Sequence, residues 1–98
     1  MVINIKKEND SLTISLDGYL DTLTAPQLEA EIQGKLEGIS NLVFDFNKLT
    51  YISSAGLRVL LTAQKAVRNQ GQMIIKNTNA NVKEIFDITG FSDILNIE

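Results

Sequence analysis

Two adjacent serines, Ser53 and Ser54, are the groups in this chain best placed to do chemistry. They are followed by Ala55-Gly56-Leu57-Arg58. They fall where the stretch Asn47–Ser53 gives way to a helical pattern. A helix start carries free N–H groups and a partial positive charge. A phosphate there is held by backbone donors, an effect of about 0.3–1 kcal/mol at an exposed site. Gly56 sits in the first helical turn, where glycine costs about 1 kcal/mol relative to alanine. On the sequence it reads as a stretch of uncovered backbone that another molecule can approach closely. The plain alternative is that serine is a preferred N-cap and glycine suits a tight entry turn. The two readings are compatible, because one serine can cap while its neighbour faces solvent.

Composition removes several other chemistries. The chain has no cysteine and no histidine. Disulfides, thiolate catalysis, Cys-built zinc sites, a Ser-His-Asp relay and imidazole metal ligands are therefore excluded. Hydroxyls, carboxylates, lysine and tyrosine remain. There is no Gly-Lys-Ser phosphate loop, no metal cluster and no evident base beside a nucleophile. No cofactor is expected. Nine Lys and Arg stand against 12 Asp and Glu, a net charge of −3, so no nucleic-acid footprint is expected. The longest apolar runs are three residues, as in Val59-Leu60-Leu61, too short to cross a membrane. No charged, apolar leader opens the sequence, so no secretory signal is expected.

The elements that must position the serines follow from periodicity. Ile3 and Ile5, and then Leu12, Ile14 and Leu16, alternate with polar residues, as half-buried strands of a hairpin do. Asp17-Gly18 punctuates the end of the second strand. Thr24, Pro26 and Gln27 predict a helix start with a capping box. Leu28, Ile32 and Leu36 then form one stripe, with Gly38 as its stop. Asn41–Phe46 reads as a central strand, and Asn47–Ser53 as a loop anchored by Tyr51 and Ile52. A helix follows from about Ser54 to Asn69, with Leu57, Leu60, Leu61, Gln64 and Val67 on one face. Met73–Lys76 predicts a fourth strand. Val82, Ile85, Phe86 and Thr89 predict a helix ending at Gly90, and Phe91–Ile97 a short final turn. The order is β-β-α-β-α-β-α. It predicts an α/β fold with a small mixed sheet of about four strands and helices mainly on one face. At 98 residues a single domain, 1–98, is expected. Leu57 reads as core. Arg58, one residue further round, reads either as a solvated arginine or as a partner for a carboxylate across an interface. Asp45 reads as a polar position near a strand end.

Two segments resemble the STAS domain family, and in particular its bacterial anti-sigma factor antagonists. Ser53-Ser54-Ala55-Gly56-Leu57 resembles their switch loop, usually Asp-Ser-Ser/Thr-Gly-Leu. Asp17-Gly18-Tyr19-Leu20-Asp21-Thr22-Leu23-Thr24-Ala25-Pro26 resembles their Gly-x-Leu-Asp segment ahead of the first helix. The element order matches, and the resemblance covers the whole chain. Aligned on Gly-Leu, Ser54 falls on the phosphoacceptor, Ser53 where aspartate is common, and Ala55 on the second hydroxyl. Ser53 is thereby a competing phosphosite. Asp21 matches the family aspartate; it either orients the loop or an incoming kinase, or is an ordinary turn carboxylate.

The resemblance implies a cytoplasmic partner switch that is a substrate and not an enzyme. The unphosphorylated protein would bind an anti-sigma factor that is also a serine kinase, and phosphorylation of Ser54 would end binding. A PP2C-type serine phosphatase would restore the hydroxyl. Asp21, Ser53, Ser54, Gly56 and Arg58 are the expected partner-binding residues. Two alternatives stand beside it: a STAS regulatory or scaffold module in a signalling or transporter complex without phosphoswitching, and a small enzyme or nucleotide-binding domain.

Overall fold

The computed structural model describes residues 1–98. Strands β1 (Val2–Glu8) and β2 (Ser11–Leu20) form an antiparallel hairpin in which Ile3 faces Leu16 and Ile5 faces Ile14. The chain then alternates: α1 (Ala25–Ile32), β3 (Asn41–Ile52), α2 (Ser54–Val67), β4 (Gln72–Lys76), α3 (Ala80–Thr89), a 3-10 turn (Phe91–Asp93) and β5 (Asn96–Ile97). The strands lie in sequence order β1-β2-β3-β4-β5, and every pair after the hairpin is parallel. Parallel neighbours need a crossover, and here each crossover carries a helix.

All 23 buried hydrophobic residues belong to one cluster. It contains Leu12, Ile14 and Leu16 of β2, Leu42, Phe44 and Phe46 of β3, and Met73 and Ile75 of β4. The inward sides of all three helices complete it, for example Leu28, Leu60 and Phe86. The helices therefore cover one face of the sheet, as the patterning requires. The intervening strand residues, such as Thr13, Val43 and Ile74, are none of them buried. Phe46 is the hinge of the aromatic packing, 5.9 Å from the Phe44 ring and stacked at 6.5 Å on Phe86 of α3.

The sheet has five strands where the pattern predicts four. The fifth is Asn96–Ile97, two residues held against β4 and followed by a Glu98 N–H donated to the Ile75 carbonyl at 2.8 Å. A strand that short shows no alternation to read. Both β2 and β3 also run further than expected. β2 continues through Gly18 to Leu20, and β3 absorbs the predicted loop Asn47–Ile52. The cause is a pair of register shifts: Ser15 and Asp17 pair with Asp45 and Lys48, and Gly18 and Tyr19 pair with Leu49 and Tyr51. Each shift gives β3 one extra residue. Burial along β3 therefore changes from every second residue (Leu42, Phe44, Phe46) to every third (Leu49, Ile52), and the strand period disappears from the sequence. Gly18 has φ +117°, a conformation glycine adopts at low cost, and its carbonyl accepts the Thr50 hydroxyl at 3.1 Å.

The first helix also departs from expectation. It stops at Ile32, and Gly34 and Gly38 both take left-handed conformations (φ 79°). Leu36 packs on the core from outside the helix. No Thr24–Gln27 capping box forms: Thr24 makes no side-chain cap, and Gln27 Nε2 donates to the Met1 carbonyl. The third helix ends at Gly90, left-handed at φ 81°, as expected.

Candidate functional site

The site lies at the end of the sheet where β2 and β3 finish side by side. Leu20 pairs with Ile52, and the next residue, Ser53, donates its N–H to the Leu20 carbonyl at 2.9 Å. From there the two chains part. β3 passes through Ser53 directly into α2, with no intervening loop. β2 enters a turn, Asp21–Thr24, that leads to α1.

Asp21 organises that turn. Its Oδ1 accepts the backbone N–H of Leu23 at 3.0 Å and of Thr24 at 3.1 Å, and its carbonyl accepts Ala25 N–H at 2.8 Å. The side-chain bonds stay within the turn ahead of α1, whose own start has no side-chain cap. Thr24 Oγ1 accepts the Asp21 N–H at 2.8 Å and donates to the Tyr19 carbonyl at 2.7 Å. No hydrogen bond joins Asp21 to Ser53 or Ser54. The turn-carboxylate reading of Asp21 describes its contacts.

The two serines sit in different surroundings. Ser53 is extended (φ −102°, ψ 176°) at the N-cap position, and its carbonyl accepts Leu57 N–H at 3.0 Å. Its hydroxyl does not cap: Oγ is buried and has no hydrogen-bond partner. Ser54, the first residue of α2, is exposed. One serine therefore occupies the cap position and its neighbour meets solvent, but without the capping bond that serine at this position usually makes.

Gly56 overturns its sequence reading. It is buried, and an added Cβ would lie 2.6 Å from Leu20 Cγ and 2.9 Å from Ile52 Cγ1. The missing side chain lets α2 close on the ends of β2 and β3; it does not open the backbone to another molecule. Leu57 is core, 3% exposed, as expected. Ile52 is buried as expected, but Tyr51 is 43% exposed and does not anchor the segment inward. Tyr51 pairs with Tyr19, also exposed, and Leu23 in the adjoining turn is 88% exposed. Sequence reasoning missed this apolar rim; the signal was large side chains at positions that break the buried period.

Arg58 is exposed and forms no ion pair; the two in the molecule are Lys6–Glu8 and Lys35–Glu31. Arg58 lines a shallow groove of about 260 Å³ between the starts of α1 and α2, with Thr22, Pro26, Glu29, Ala55 and Val59 among its neighbours. Asp45 lies apart, in the row of Ser15 and Lys76. It ties β3 to the segment before α3, accepting Asn77 Nδ2 at 3.0 Å and Asn47 N–H at 3.1 Å.

An exposed hydroxyl at a helix start, beside the paired ends of β2 and β3, can accept a covalent phosphoryl group or meet a partner surface. The carboxylate at this end of the sheet, Asp21, is hydrogen-bonded to its own turn and not to the Ser54 hydroxyl.

The model of the STAS domain matches residues 2–98. BtrV of Bordetella bronchiseptica, whose name assigns it provisionally to the anti-sigma factor antagonists, is 38% identical over 96 residues, covering 96% of this chain and 83% of its own. The anti-sigma-B factor antagonist of Listeria monocytogenes is 33% identical over 100 residues, covering 98% and 87%. In structure, the antagonist SpoIIAA in its unphosphorylated form superposes with a TM-score of 0.77 at 17% identity, over 99% of this chain and 87% of that one. The phosphorylated form of the Bacillus protein gives 0.75 at 18% identity, over 99% and 91%. These structures share the fold.

Proposed function

We propose that this chain, which belongs to the STAS domain family, is an anti-sigma factor antagonist whose binding is switched by phosphorylation of Ser54. The observation that carries the reading is the contrast between neighbours: Ser54 is exposed at the first position of α2, while the Ser53 hydroxyl is buried. Relatives named as antagonists of an anti-sigma factor supply the partner class.

In this reading the unphosphorylated protein docks on an anti-sigma factor that is also a serine kinase. The partner transfers the γ-phosphoryl group of ATP to Ser54 Oγ. ADP leaves, and the hydroxyl proton passes to a base of the kinase. A PP2C-type phosphatase hydrolyses the phosphoserine and resets the switch. The chain is then a substrate and a binding module, not an enzyme, and it works in the cytoplasm. No helix is long and apolar enough to cross a membrane.

The energetics suit a switch. Phosphoserine brings about −1.5 to −2 charges. The start of a helix tolerates them, so the fold persists. A desolvated interface built over a neutral hydroxyl does not, and mismatched charge there costs several kcal/mol. Since each ~1.4 kcal/mol is tenfold in affinity, a change of about a hundredfold needs no backbone movement.

The test is binding to the anti-sigma factor with and without ATP. Ser54→Ala should bind and resist release by ATP, and Ser54→Asp should bind weakly. Release of Ser54→Ala by ATP at the wild-type rate would overturn the reading.

A further inference from the structure

We infer that Arg58 receives the phosphate once Ser54 carries it, so that phosphorylation both adds negative charge and withdraws a cation from the docking surface. The inference rests on the reading of Ser54 above. Ser54 and Arg58 are four residues apart on one uninterrupted helix, Ser54–Val67. Such residues share a face, with Cβ atoms about 5–6 Å apart, well within the reach of arginine. Both are exposed.

Nothing else holds Arg58. It is in no ion pair, and α2 contains no Asp or Glu to compete for it. Glu29 lines the same groove but lies beyond ion-pair distance. The Asp21 carboxylate is engaged by the N–H groups of Leu23 and Thr24. The other cations of this segment, Lys65 and Arg68, lie at the C-terminal end of the helix, where its dipole favours positive charge. Arg58, in the first half of α2, gains nothing of that kind. A guanidinium is planar and forked, and it binds phosphate with two parallel hydrogen bonds. The spacing also discriminates between the serines, because the residue four beyond Ser53 is the buried Leu57.

The test uses the full chain with phosphoserine installed at position 54 during synthesis. No kinase takes part, so the outcome does not depend on whether a kinase selects Ser54, and kinase mapping does not depend on Arg58. The second ionisation of phosphoserine, ordinarily near pKa ~6, is followed by phosphorus NMR. Pairing with Arg58 lowers it. Arg58→Gln should raise it by about 0.15–0.4 unit relative to the wild-type phosphoprotein. Arg58→Lys, which keeps the charge without the fork, should raise it less. Lys65→Gln makes the same charge change elsewhere on α2 and should leave it in place. If Arg58→Gln leaves the ionisation unmoved, or Lys65→Gln moves it equally, the inference is wrong.

Discussion

Gly56 lies against Leu20, so close that a Cβ on Gly56 would come within 2.6 Å of Leu20 Cγ. Helix α2 is therefore seated directly on the end of β2, and its first turn has no room to shift inward. Alanine at this position would gain about 1 kcal/mol of helix propensity, but overpacking of a filled core costs about 1–3 kcal/mol. Leu20 Cγ is a branch point near the backbone and cannot swing aside as a chain end does. Gly56→Ala is expected to lower stability by about 1 kcal/mol, measured by urea unfolding. A variant as stable as wild type would show that the contact yields.

Ser53 leads to the opposite expectation from an ordinary cap. Replacing a capping serine by alanine usually costs about 1 kcal/mol. Here the hydroxyl caps nothing and is buried without a partner. Removing an unsatisfied buried polar atom is neutral or stabilising. Ser53→Ala should match or exceed wild-type stability in thermal unfolding. A loss of about 1 kcal/mol would mean that the hydroxyl caps the helix in solution.

The serine pair and its helix were legible because their signals are local. Ser54 begins α2, and Leu57, Leu60 and Val67 are buried along it as their spacing predicts, while Leu61 and Gln64 of the predicted face are half-buried and Val59 and Ala63 are buried beside it. Gly56 was misread because the sequence gives its flexibility but not its neighbours; Leu20 is distant in the chain and adjacent only through strand pairing. β3 was cut short for a related reason. The two register shifts against β2 break the alternation after Phe46, and pairing that depends on a second strand leaves no period in the first. Asp21 was legible as a turn residue, and its side-chain bonds to the N–H groups of Leu23 and Thr24 stay within the turn ahead of α1.

Asp45 makes stability depend on pH. The Asn77 side chain, then the Asn47 N–H and nearby Lys76, hold its carboxyl below the usual value of 3.8, and partial burial works against them. A carboxyl with a depressed folded-state pKa stabilises the protein in full above its unfolded value. That contribution is lost as pH falls through the lower folded value. Wild type should therefore be more stable than Asp45→Asn at neutral pH, and the gap should close below about pH 3.8. Urea unfolding at a series of pH values checks this; a gap that widens in acid contradicts it.

The most direct test of the proposed switch is to incubate the protein with the anti-sigma factor proposed as its kinase and ATP, and to locate the phosphate by mass spectrometry. The account predicts one phosphate, on Ser54, with none taken up by Ser54→Ala and loss of the kinase from the phosphorylated protein. Phosphate on Ser53 or elsewhere, or a phosphorylated Ser54 that still binds as tightly as the free hydroxyl, would contradict it.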